Sequence, residues 1–329
     1  MPLVHLNAPT SLPSRIEEPL DPETIDLLRD SLAPSTWRAY QRDLVTIEEW
    51  CRTKDRRALP ATPKTVADYV ALMSKELAAS TIIRRVATWS ALHKANGVPK
   101  EENPCHSELV RKALRGLRRR SGQPSKAEPL LMDDLVKILD MTPGDDLRGL
   151  RDRALLTFGL ALGRRRSELV ALNVEDLRWI SSGGRRGYAV TIQRSKTDQE
   201  GQGETAWAKW SGRPTCPVEA LDAWLRAASI TSGPIFRSVD RFGALGGRLS
   251  DRSVASIVRA AADRAGLPEG RWSGHSLRAG YATDHARRGA STRSIARGGG
   301  WSPNSPVVNG YVRLANPWDD NASDTEEWL

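Results

Sequence analysis

The chain has 329 residues, enough for two domains that each bury a core. Its 49 Lys and Arg outnumber 40 Asp and Glu for a formal charge of +9, a balance that suits a polyanionic partner. Three cysteines (Cys51, Cys105 and Cys216) exclude a disulfide framework and a C-x-x-C metal pair, and no apolar run approaches the roughly 18 residues of a membrane span.

Residues 1–20 carry four prolines and little periodicity and are expected to form an arm without the basic start and apolar core of a signal peptide. Asp21-Pro22 then opens a first helix, with Asp as cap and Pro in the first turn. In "PSTWRAYQRDLVTIEEWCR", Trp37, Tyr40, Leu44, Ile47 and Cys51 recur at steps of three or four, the period of an amphipathic helix. The same period runs through Val66, Tyr69, Val70 and Met73, and again through Ile82, Val86, Trp89 and His93, closed by Gly97. A fourth helix in "HSELVRKALRGLRRR" is predicted to bury Leu109, Ala113 and Leu117 and to show Arg111, Arg115 and Arg118 on its other face. Residues 80–120 hold ten Lys or Arg against three Asp or Glu, and cations at helical spacing on neighbouring helices predict a nucleic-acid stripe. Residues 21–120 thus form a helical N-terminal domain, and "SGQPSKAEP" (121–129) breaks the period as a linker.

In the second domain, 130–329, helices are predicted at about 131–141, 147–163, 166–172, 217–229 and 250–265, with a last helical cluster from 275 to 313. "YAVTIQRSKT" (188–197) alternates and leads into the turn-like "DQEGQGET", pointing to a small antiparallel hairpin or sheet. The ending "NPWDDNASDTEEWL" has five acidic residues, no basic ones and two tryptophans.

The chemistry lies in four short stretches. In "WSGHSLRAG", Ser273 and Gly274 cap a helix whose first turn carries His275 and Arg278, where free N–H groups and the positive end of the helix dipole favour an anion. In "GRRRSELVAL" (163–172), Arg165 and Glu168 stand three apart, close enough for the carboxylate to orient the guanidinium. Two arginines suit phosphate because each planar fork binds two oxygens at once. "QRSKTDQEG" adds Lys196, and "GGGWSPNSPVVNGYVR" adds Trp301 and Tyr311. Of the five tyrosines, Tyr40 and Tyr69 lie in core stripes, Tyr188 in a strand and Tyr281 among apolar helix residues, while Tyr311 follows a Gly/Pro-rich loop. A phenol can attack phosphorus and later depart, storing the bond energy of a broken phosphodiester in a covalent intermediate.

Taken in order, Arg165, Lys196, His275-x-x-Arg278, Trp301 and Tyr311 resemble the signature of the tyrosine recombinases, or phage integrase family. The resemblance runs from about residue 30 to 313, taking in "WRAYQRDLVTIEEWC", "TIIRRVATWSALHKANGVP" and "LSDRSVASIV". It implies a mainly α-helical, two-domain C-shaped clamp on DNA: an N-terminal SAM-like, core-binding helical bundle and a catalytic domain with a small antiparallel β-sheet. It implies site-specific recombination through a 3′-phosphotyrosyl bond to Tyr311. Arg165, supported by Glu168, and Arg278 would then hold the phosphate, and His275 would help move the tyrosine proton. Lys196 would protonate the departing 5′ oxygen, and Trp301 would donate its indole N–H. No cofactor and no metal is implied.

By the same resemblance, Arg84 and Arg252 reach the major groove, with Arg85, Arg111, Arg115 and Arg118 completing the DNA contacts. The implied partners are double-stranded DNA with inverted-repeat sites and a homotetramer spanning two of them, in a prokaryotic cytoplasm, of phage or plasmid origin. The acidic ending is expected to turn away from DNA and dock on a neighbouring subunit. The interval from Trp301 to Tyr311 is one residue longer than usual in the family, and Pro303 and Pro306 assign the extra residue to the loop. Two other readings use the same residues. A DNA-binding protein that no longer cuts is disfavoured by the complete residue set, and a type IB topoisomerase-like enzyme by the N-terminal helical domain.

Overall fold

A computed structural model of the chain describes residues 23, 34–122, 127–193 and 203–315. The chain divides into two compact units, 1–124 and 125–329. The predicted arm, the Asp21-Pro22 cap, Lys196 and the acidic ending lie outside the described residues.

In the first unit four helices, α1 (Pro34–Thr53), α2 (Pro63–Met73), α3 (Ala79–Ala95) and α4 (Glu108–Ser121), follow the predicted periods. Thr62 caps α2 by accepting the Thr65 N–H, with Pro63 in the first turn where its missing donor costs nothing. Their apolar stripes bury Ile47, Cys51, Val66, Ile82, Val86 and Trp89. Tyr69 stands edge-on to both Trp50 and Trp89, with ring centroids 5.0 and 5.6 Å away. The expected burial of Leu109 is corrected: it is 50% exposed, whereas Val110 and Leu117 are buried. Ser107 caps α4, and the apolar stripe runs Val110, Ala113, Leu114, Leu117, one residue round from Leu109. Arg111, Arg115 and Arg118 remain exposed opposite it.

The second unit comprises α5 (Met132–Asp140), α6 (Leu147–Leu162), α7 (Arg166–Ala171), β1 (Leu177–Ser182), β2 (Arg185–Ile192), β3 (Glu204–Lys209), α8 (Pro217–Ala227), β4 (Arg237–Val239), β5 (Leu245–Arg248), α9 (Asp251–Arg264), α10 (Gly274–Arg287), α11 (Thr292–Gly299) and α12 (Pro306–Ala315). Helix α6 is buried nearly all round, which makes it the centre of the unit's core. The sheet has the order β1-β2-β3, all antiparallel, and β4 and β5 form a separate hairpin. Strand β1 and this second hairpin carry no apolar alternation in the sequence. Most of β1 faces solvent, and it is set by the turn at Gly183 and Gly184, whose φ angles of 57° and 71° suit a two-residue hairpin.

Candidate active site

The site grows from the C-terminal end of α6. Gly163 ends that helix in the left-handed region at φ 59°, and a Cβ there would lie 2.4 Å from the Tyr281 ring. Only glycine permits this turn, which places three consecutive arginines on different paths. Arg165 is the N-cap of α7. Its Nη1 donates to Glu168 Oε1 at 2.6 Å, while Glu168 Oε2 accepts the Arg165 backbone N–H at 3.1 Å. Glu168 is buried and the Arg165 side chain is 20% exposed, so one edge of the fork is fixed and the rest is open.

Helix α10 begins with a reciprocal cap in which Ser273 accepts the His275 N–H and the Ser276 hydroxyl accepts the Ser273 N–H. One turn on, the Arg278 side chain is buried, and its Nη1 donates to the carbonyls of Gly163 and Gly299 at 2.6 and 2.5 Å. Its guanidinium lies 3.5 Å from the Trp301 ring centroid, a close cation–π stack. Burial and the nearby Arg165 and Arg164 charges push Arg278 down to about 10, against the pull of Glu168 and Tyr311, so it remains a cation at neutral pH. Its Nη2 is buried without a partner among the described residues.

Tyr311, on α12, meets the same Trp301 ring edge-on at 6.3 Å. Burial raises its phenol above the ordinary value while the Arg278 charge opposes the rise. The phenol is therefore protonated at neutral pH. His275 is exposed, and loss of solvation on its protein side, together with the charges of Arg166, Arg278 and Arg165, holds it below the ordinary imidazole value of 6.5. An imidazole so placed is neutral at pH 7 and able to accept a proton. Tyr281 is buried, stacked near Trp301 and His285, with its hydroxyl against Gly298, where a Cβ would come within 2.0 Å. It packs the site from behind.

Arg165, Glu168, Arg278, Trp301 and Tyr311 thus come together around two helix ends, with His275 within the influence of the same charges. Sequence reasoning missed Arg164. Its side chain is 1% exposed and pairs with Glu204 at the start of β3, against Gly300 in its left-handed turn. Its Nε and Nη2 have no partner among the described residues. Arg166 instead binds Asp251 of α9 at 3.2 Å, beside the exposed Arg252. Within "GRRR" spacing singles out Arg165 through Glu168 three residues on, whereas Glu204 and Asp251, the partners of Arg164 and Arg166, lie far along the chain.

In the first unit, Arg84 is half-exposed and Arg111 pairs with Glu108 at 2.9 Å. Arg85 is drawn inward, donating to the Tyr69 hydroxyl at 2.9 Å.

Residues 128–316 match the phage integrase family, and residues 26–96 match the phage integrase N-terminal SAM-like domain. The chain is 36% identical over 298 residues to an integrase/recombinase xerD homolog of Selenomonas ruminantium, covering 90% of this chain and 86% of that protein. It is 27% identical to the recombinase cre of Escherichia phage P1, covering 94% and 93%. Among solved structures, a lambda integrase (residues 75–356) dimer bound to a COC′ core site superposes with a TM-score of 0.60 at 16% identity, covering 88% of this chain and 94% of that one. The XerH recombinase bound to a palindromic difH substrate gives 0.60 at 16% identity, covering 86% and 76%. Likeness at this identity is a likeness of fold.

Proposed function

The chain belongs to the phage integrase family of site-specific tyrosine recombinases, and from that premise we propose how its residues divide the reaction. Tyr311 is the nucleophile that forms the 3′-phosphotyrosyl bond. Arg278 and Arg165 hold the non-bridging oxygens as charge builds on the pentacoordinate phosphorus. His275 accepts the phenolic proton, and Lys196, by resemblance, returns one to the 5′ oxygen. Trp301 directs its indole N–H to the phosphate and also carries the Arg278 plane. The observation that supports this reading best is the shared ring: Arg278 stacks on Trp301 and Tyr311 meets its edge. The substrate is duplex DNA with inverted-repeat sites, held by both units and recombined in a tetramer.

Incubating the protein with a nicked suicide duplex and denaturing in SDS tests the chemistry. A covalent adduct followed by strand exchange is expected. No adduct would mean a silent DNA binder, and an adduct without exchange would mean a topoisomerase-like enzyme.

Two further outcomes follow. Because His275 acts in its neutral form and sits below 6.5, cleavage should be steady from mildly alkaline pH to about 6.5 and fall as the pH drops through the His275 value. Single-turnover rates of His275→Gln should be low throughout and lack that acid limb. Arg252→Ala should relax preference at one or two base pairs at a cost of about 1–3 kcal/mol, whereas Arg115→Ala or Arg118→Ala should weaken all sequences alike and flatten the salt dependence. An equal loss on every sequence for Arg252→Ala would remove it as a base reader.

A further inference from the structure

Helix α3 presents two adjacent guanidiniums to a single carboxylate. Asp43 of α1 has a side chain 3% exposed, and its Oδ2 is paired with Arg84 Nη1 and accepts the Thr88 hydroxyl at 3.2 Å. Arg85 Nε lies 3.6 Å from Oδ1. The two arginines then part: the Arg85 side chain is 16% exposed and committed to Tyr69, whereas that of Arg84 is 46% exposed. A buried carboxylate requires a cation, and both contribute: Arg84 by a direct hydrogen bond, Arg85 as a charge 3.6 Å away whose Nε makes no hydrogen bond among the described residues. The direct pair with Arg84 has a consequence beyond neutralising Asp43.

What it does is fix a plane. A guanidinium carries five N–H donors in a rigid fork. With Nη1 held, the direction of the opposite edge, Nε and Nη2, is set, and among the described residues no acceptor is bonded to that edge. Two N–H donors side by side on an open edge match the paired acceptors O6 and N7 of guanine in the major groove. Ser80 and Ala87, one turn to either side, are exposed and small, which leaves α3 room to approach a groove floor. Arg38 and Arg42 of α1 are exposed alongside and favour the same polyanion.

We propose that Asp43 is a specificity-determining positioning residue, whose buried carboxylate holds Arg84 in the orientation that selects guanine. The inference rests on the reading of Arg84 as a base reader, and its test separates the two. Binding sites are selected from a random duplex library by the full-length chain, by Arg84→Ala, by Asp43→Asn and by the double variant, with salt titrations and melting curves for each. Arg84→Ala should lose a guanine preference. Asp43→Asn should weaken that preference about tenfold at the same base pairs, while binding to random DNA is kept or strengthened because a negative charge is gone. In the Arg84→Ala background, Asp43→Asn should change selectivity no further.

If Arg84→Ala alters no preference, Arg84 is not a base reader. If it does and Asp43→Asn leaves the preference intact, the positioning role is wrong. A uniform loss of binding with a lowered melting temperature would make Asp43 a support of the fold alone and would equally overturn the proposal. Should Asp43→Asn not fold, Asp43→Glu keeps the charge and displaces the carboxylate by one methylene. The guanine preference should then weaken, and an unchanged preference would refute the inference.

Discussion

Tyr311→Phe should bind DNA as the unaltered chain does and form no covalent adduct. The substitution removes one oxygen and keeps the ring, so the edge-on contact with Trp301 and the partial burial of the side chain are preserved. Among the described residues Tyr281 offers no substitute phenol, since it is buried with its hydroxyl against Gly298. Adduct formation should therefore fall below detection in an SDS gel while the mobility shift on the same duplex is unchanged. Tyr281→Phe is the matching control and should retain the adduct. An adduct surviving in Tyr311→Phe would move the nucleophile elsewhere.

The second large effect is expected at Arg278. Losing one preorganised partner of a developing negative charge typically costs about 10²–10³ in rate, and Arg278→Ala should slow single-turnover cleavage by at least that much. It should also destabilise the unit. The Gly163 and Gly299 carbonyls would lose their shared donor, and an unsatisfied buried polar group costs about 1–3 kcal/mol. Arg278→Lys separates the two effects: an ammonium keeps the charge but cannot offer a planar fork or lie flat on Trp301. Its cleavage should still fall by orders of magnitude, with a smaller loss of melting temperature than for the alanine variant. Near-normal cleavage by either would refute the assignment of Arg278 as a phosphate clamp. Arg165→Ala should slow cleavage comparably, because the second guanidinium assigned to the phosphate, the one Glu168 orients, would be gone.

Much of this molecule was legible in its residues. The steps of three and four through Ile82, Val86, Trp89 and His93 placed α3, because helical periodicity is local and needs no partner to be seen. Ser273 before His275 marked the start of α10 for the same reason, since a cap satisfies N–H groups within its own turn. The order of Arg165, His275, Arg278, Trp301 and Tyr311 was likewise enough to indicate phosphoryl transfer to a tyrosine.

The choices between neighbours were not legible. Leu109 and Val110 are equally apolar, and only the packing of α4 on its own unit decided that Val110 goes inside. Arg164, Arg165 and Arg166 are chemically identical, yet one pairs with Glu204, one with Glu168 and one with Asp251. Spacing gave the second alone, because the first and third partners lie far along the chain. Arg278 looked like an open anion site on a helix end. In the folded chain its Nη1 ties two glycine turns 115 and 21 residues away, and its face rests on Trp301. Sequence by itself determined the described helices from Pro34 on, since period and caps depend on residues within one turn, and the chemical class through the resemblance of its ordered residues to a family signature. Which acceptor each arginine binds depends on groups far along the chain that only tertiary folding brings into hydrogen-bond range.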